Sequence, residues 1–195
     1  MPEFHVSSMF ESPDLAPEEV AARMLVTASA LDDLTLADAT VIVTYMLPQR
    51  IAAGTTFIKE GEVKHNDYML LVLEGDILVE SDSPGSGADT LVVNVIGPGH
   101  LIGEMGLLDG SPRSARCTAN TDIAAAVLSR TALMRLLKDH PRTGSRLLLA
   151  ISKRMADRLR ETTRKLRTFA QMNKALQEEL EVVMNNRTKG PGRIV

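Results

Sequence analysis

The sequence predicts an α+β chain that is mainly β in its middle, an antiparallel barrel or sandwich set between N-terminal helices and one long C-terminal helix. Three observations predict it. Short β-branched or apolar runs recur between Gln49 and Leu128, separated by glycines at 54, 61, 75, 85, 87, 97 and 99, which is the texture of short strands joined by turns. Helix-start residues gather ahead of that region. Beyond it, no proline interrupts the stretch from Thr143 to Val183, whose only glycine is Gly144.

Residues 12 to 47 read as helical in two pieces. "SPDLAPEEVAARMLV" offers Ser12 or Asp14 as a cap, then Pro17 with Glu18 and Glu19 in the first turn, where acids complement the helix dipole. "LTLADATVIVTYML" offers Thr35 as a second cap, and Pro48 closes the helical region. The strands follow as "TTFI", "YMLLVL", "DILVE", "TLVVNVI" and "IAAAVL", with "SDSPGSGADT" at 81–90 as a flexible hairpin tip.

From about Pro141 the chain turns helical and stays so. A helix of about 40 residues is roughly 60 Å long at 1.5 Å per residue, more than a small barrel can cover. Its apolar spacing supplies a partner surface. Met155, Leu159, Thr162, Leu166, Phe169, Asn173, Leu176, Leu180 and Val183 alternate by four and three residues, the a/d rhythm of a two-stranded coiled coil. Asn173 falls at an a position, and a lone buried Asn there favours a parallel, in-register dimer because each Asn bonds its mate only in that arrangement. The polar tail "NNRTKGPGRIV" reads as frayed.

Composition narrows the function classes. The chain has 195 residues, 44% of them hydrophobic, and a formal net charge of −3. That is enough apolar material for a real core, with no overall attraction for nucleic acid or anionic membrane. A single cysteine, Cys117, excludes an intramolecular disulfide framework and a thiolate metal cage. The start lacks a basic segment followed by an apolar one, and the longest apolar run is far too short to span a bilayer. A cytoplasmic protein is expected. His5, His65, His100 and His140 are isolated and lack metal-ligand spacing, and no nucleophile–base constellation can be assembled, so neither a metal site nor an enzyme is expected. The cluster at 153–167 carries seven Lys or Arg against two acids. It lacks interleaved aromatics and reads as a solvated coiled-coil flank, so no direct nucleic-acid binding is expected.

The chemistry concentrates in "HLIGEMGLLDGSPRSARCTA", residues 100–119. An acid and an arginine aimed inward there, Glu104 and Arg113, suit a small anionic ligand with hydroxyls. Gly103 lets the backbone come close, and "EMGLL" can form one helical turn whose free N–H groups point at an anion. Arg113 would clamp phosphate oxygens, Ser114 would add a hydroxyl and an amide, and Glu104 would accept from a sugar hydroxyl. If the two charges instead pair with each other, the region is an empty structural cap.

"GPGHLIGEMGLLDGSPRSA" resembles the phosphate-binding cassette of the cyclic nucleotide-binding domain family, with its G-E-x-G/A-L-(x)n-P-R-S/A-A pattern. "AAGTTFIKEGEVKHNDYMLLVLEGDILV" is similar to the same family's first strands, and "RLLLAISKRMADRLRETTRKL" to the dimerisation helix of its catabolite-activator branch. The resemblance covers about residues 31–170. It implies a helical extension at 1–30, an antiparallel jelly-roll barrel at 31–142 with its cassette at 99–115, a dimerisation helix at 143–187 and a tail at 188–195. It further implies cyclic AMP as the ligand ahead of cyclic GMP, bound by Gly103, Glu104, Met105, Gly106, Arg113, Ser114 and Ala115. A hydroxyl pair, Thr162 and Thr163, would meet the adenine amino group at the dimer seam, one residue from each subunit. That branch continues into a winged helix-turn-helix domain, and no helix-turn-glycine-helix pattern occurs in these residues. A homodimeric sensor signalling through another protein is therefore expected. The alternatives are a ligand-free dimerisation scaffold or the regulatory part of a transcription regulator.

Overall fold

A computed structural model of the chain describes residues 16–27, 31, 33–82 and 90–188. These divide into two units, one running to Ile151 and one beginning at Ser152.

The first unit opens with α1 (Pro17–Leu25) and α2 (Leu36–Val43). Pro17 at the first helical position and Glu18 and Glu19 behind it match expectation, but the cap of α1 is Ala16, which makes no side-chain cap bond. The proposed caps Ser12 and Asp14 lie outside the described residues. Thr35 caps α2 as expected, in a reciprocal box in which its hydroxyl accepts from the Asp38 amide while the Asp38 carboxylate faces the Thr35 amide.

Eight strands follow: β1 (Leu47–Ile51), β2 (Thr56–Ile58), β3 (Tyr68–Glu74), β4 (Ile77–Asp82), β5 (Thr90–Ile96), β6 (Leu101–Ile102), β7 (Arg116–Ala119) and β8 (Ile123–Ser129). All pair antiparallel in two four-stranded sheets, ordered β1-β8-β3-β6 and β2-β7-β4-β5. The core between them holds Ile51, Ile58, Leu70, Val72, Ile77, Val79, Ile96, Ile102, Cys117 and Ile123. In β3 the alternate residues Met69 and Leu71 are also fully buried, because α1 and a short helix α3 (Glu104–Asp109) lie against that strand. Burial on both faces is why "YMLLVL" reads as a continuous apolar run.

Three expectations need correction. Pro48 does not end a helix: the helical region stops at Val43, and Pro48 is the second residue of β1, opposite Ala126. β1 is an edge strand, where a missing N–H is tolerated. Strands β1, β6 and β7 were not foreseen, being short or interrupted by polar residues. Nor was α4 (Arg130–Asp139), which starts at Ser129, whose hydroxyl accepts from the Ala132 amide. Of the hairpin tip expected at 81–90, residues 83–89 lie outside the described ones, while Ser81 and Asp82 belong to β4 and Thr90 to β5, with Asp82 opposite Thr90.

The last helix, α5, runs from Pro141 to Thr188, close to the expected bounds. Its first turns belong to the first unit, where Leu147, Ala150 and Ile151 are buried. There Asp38, only 7% exposed, gathers the Thr35 hydroxyl at 2.6 Å, the Arg146 guanidinium at 2.8 Å and the Thr143 hydroxyl at 3.2 Å. Burial alone would raise the Asp38 pKa, but these donors outweigh it and hold the carboxyl below its ordinary 3.8.

The second unit is helical throughout its described length. Leu159, Leu166, Phe169, Leu176 and Leu180 are 55–68% exposed along it, on the proposed a/d stripe. Ion pairs Asp157–Arg160 and Glu161–Lys165 brace its surface. No helix among the described residues is long and apolar enough to cross a membrane.

The Asp38 node ties α2 to the first turns of α5, so Asp38→Asn should destabilise the protein by about 1–2 kcal/mol at neutral pH, as expected for charge-assisted bonds at a partly open site. A depressed folded pKa places that stabilisation above pH 3.8; it disappears as the pH falls through the lower folded value. Urea unfolding of both proteins at pH 7 and in acid should show the difference shrinking.

Candidate functional site

The site is built on the connection from β6 through α3 to β7. Leu101 and Ile102 bury the approach. Gly103 then turns the chain with φ of 84°, a left-handed conformation that glycine adopts freely. A Cβ at this position would stand 2.5 Å from Arg113 Nη1 and 2.9 Å from the Tyr68 carbonyl oxygen, so both shape and space require glycine. At Gly106 space alone is the constraint, since its Cβ would lie 2.5 Å from the Asn66 carbonyl oxygen and 3.2 Å from Arg113 Nη1.

Arg113 is 5% exposed and Glu104 3%, so both charges face inward. Nη1 of Arg113 donates to the Gly103 carbonyl and Nη2 to the Tyr68 carbonyl, each at 3.0 Å. The guanidinium carbon lies 4.5 Å from the centre of the Tyr68 ring. Two neutral carbonyls and an aromatic face thus carry the cation, and these two bonds use two of its five N–H donors. Burial pushes the Tyr68 phenol above its ordinary pKa, while the Arg113 charge pulls the other way.

Backbone bonds hold Arg113 from the opposite side. The Gly61 amide donates to its carbonyl at 2.8 Å, and its own amide donates to the Glu62 carbonyl at 3.0 Å. Asn66, buried, donates through Nδ2 to the carbonyls of Gly110 and Ser111. Arg130 donates to the Leu108 carbonyl. The Ser111 amide, 2.8 Å from the Asp109 carboxylate, holds that carboxyl below its usual range. The loop is fastened at both ends and in the middle by groups from β3, α4 and the β2–β3 turn.

Of the residues singled out in the sequence, the structure brings Gly103, Glu104, Met105, Gly106, Arg113, Ser114 and Ala115 into this one segment. Met105 and Ser114 are exposed, and Ala115 is half-buried against the core. Thr162 and Thr163 belong to the second unit. Both are exposed there, and their hydroxyls donate to the carbonyls of Arg158 and Leu159 within the helix. Sequence reasoning missed Asn66, Tyr68 and Arg130. Asn66 and Arg130 gave no local signal, since their partners lie 44 and 22 residues away. For Tyr68 a signal existed: period-two counting from the core residues Leu70 and Val72 puts it on the interior face of β3.

Comparisons with known proteins point one way. The family profile described as the cyclic nucleotide-binding domain matches residues 48–140. A cAMP-dependent protein kinase regulatory subunit from Colletotrichum orbiculare is 36% identical over 89 residues, 46% of this chain and 21% of that protein. A CRP-like cAMP-activated global transcriptional regulator from Mycobacterium tuberculosis is 27% identical over 108 residues, 55% of this chain and 46% of that one. The chain therefore matches less than half the length of these curated relatives. The solved cyclic nucleotide-binding domain from Methylobacillus flagellatus superposes with a TM-score of 0.66 at 31% identity, covering 75% of this chain and 80% of that one. The fold agrees with these matches, and the chain belongs to the cyclic nucleotide-binding domain family.

Proposed function

We propose that the chain is a homodimeric sensor of cyclic AMP that works in the cytoplasm and passes its signal through another protein, with no reaction of its own. The observation that carries this reading is the buried Arg113 guanidinium, packed so closely against Gly103 and Gly106 that neither position has room for a side chain. A cyclic phosphodiester would take charge-assisted, bidentate bonds from it, and its negative charge would offset the cost of keeping a cation out of water. Glu104 would accept from the ribose 2′-hydroxyl. Ser114 and the main chain of Gly103, Met105, Gly106 and Ala115 would complete the phosphate cradle. Both curated relatives described above carry cAMP in their names, which supports cyclic AMP over cyclic GMP.

The dimer rests on the exposed stripe of the second unit, where Leu159, Leu166, Phe169, Leu176 and Leu180 face solvent in a single chain. A parallel partner would cover these side chains and pair Asn173 with its counterpart. In that arrangement Thr162 and Thr163 line the seam and read the adenine amino group. Ligand would then bias how the two helices close on each other.

Titration calorimetry with cyclic AMP and cyclic GMP, alongside light scattering, tests the reading. Wild-type protein should scatter as a dimer and bind cyclic AMP more tightly. Arg113→Ala should lose at least about 3 kcal/mol, roughly a hundredfold in affinity. Thr162→Val with Thr163→Val should lose roughly fivefold while the barrel stays folded. Absence of heat with either nucleotide at high micromolar concentration, for wild type and Arg113→Ala alike, would sink the sensor and leave a scaffold.

A further inference from the structure

We propose that Tyr68 is the positioning residue of Arg113: its ring holds the guanidinium in the plane from which the arginine takes its anion, so affinity at this site depends on an aromatic face at position 68. The inference deepens the sensor reading and rests on it for the affinity claim, though not for the stacking itself.

Tyr68 opens β3 and shares its interior face with Leu70 and Val72. From there it meets Arg113 twice. Its carbonyl accepts from Nη2 at 3.0 Å, and its ring lies 4.5 Å from the guanidinium carbon. The two contacts constrain different freedoms, since the hydrogen bond sets a direction within the guanidinium plane and the ring sets the tilt of that plane. Any residue at this position would supply the carbonyl. Only the ring is a choice made by the sequence.

The ring is itself fixed, with its hydroxyl donating to the Phe57 carbonyl at 3.3 Å. On the other side, Gly103 and Gly106 leave Nη1 at distances where a Cβ would intrude. Arginine has several rotatable bonds, and freezing them on binding costs affinity. A guanidinium already set in plane by stacking avoids part of that cost, and the attraction of a cation to a partly desolvated ring adds to it.

The experiment uses the full chain in two arms. In the first, the Arg113 Nε–Hε resonance is assigned by its loss in Arg113→Gln. The ring-current shift it carries in wild type should persist in Tyr68→Phe and vanish in Tyr68→Leu, and a resonance that ignores the Leu substitution would overturn the stacking. In the second arm, cyclic AMP titration should find Tyr68→Phe within about twofold of wild type and Tyr68→Leu about three- to thirtyfold weaker, the range expected of a cation–π contact. In the Arg113→Gln background the Leu change should cost almost nothing. An equal loss in both backgrounds would show that the ring acts on the fold or the ligand directly, and would overturn the proposal. If Tyr68→Leu fails to fold, Tyr68→Met removes the ring with a more adaptable apolar chain. A wild-type protein that binds no cyclic AMP would overturn the affinity claim together with the sensor reading, while the resonance arm still decides the stacking.

Discussion

A guanidinium that has left most of its water behind must be surrounded by groups that accept hydrogen bonds or polarise toward it, and the segment between β6 and β7 is organised around that requirement at Arg113. The acceptors are the carbonyls of Gly103 and Tyr68, with the Tyr68 ring against the cation. Several neighbouring features follow from it. Gly103 must be glycine because its backbone both turns with positive φ and approaches Nη1. The loop must be held at a fixed height above β3, which is what Asn66 and Arg130 do by binding its carbonyls. The acceptors described for this cation are neutral carbonyls, and in the proposed sensor a phosphate would add the opposite charge.

The two units differ in what they expose and bury. The first supplies a rigid frame of two antiparallel sheets, closed by α1, α4 and the first turns of α5, with Asp38 fastening α2 to that helix. The second carries a stripe of exposed leucines and a phenylalanine that only another apolar surface would satisfy. In the proposed sensor, binding chemistry belongs to the frame and assembly to the stripe.

Much of this was legible in the sequence, for identifiable reasons. The central strands showed themselves through apolar runs, and the long helix through its unbroken 3-4 spacing. Thr35 announced its capping box. The inward pair Glu104 and Arg113 stood out because charges are rare in so apolar a segment, and both are buried. What stayed hidden depended on tertiary context. Pro48 looks like a helix stop until β1 is known to be an edge strand, and α1 takes Ala16 as its cap where a polar residue was expected. Strands of two to five residues, such as β6, β7 and β1, carry too little periodicity to register. Asn66 and Arg130 act across distances in sequence that no local pattern encodes.

The most direct measurement is a crystal structure of the protein grown with saturating cyclic AMP. The account predicts the cyclic phosphate within charge-assisted hydrogen-bond distance, about 2.7–2.9 Å, of the Arg113 guanidinium, with the ribose hydroxyl on Glu104. A structure in which Arg113 keeps only its two carbonyl partners while the nucleotide is absent, or lies elsewhere on the molecule, would contradict it.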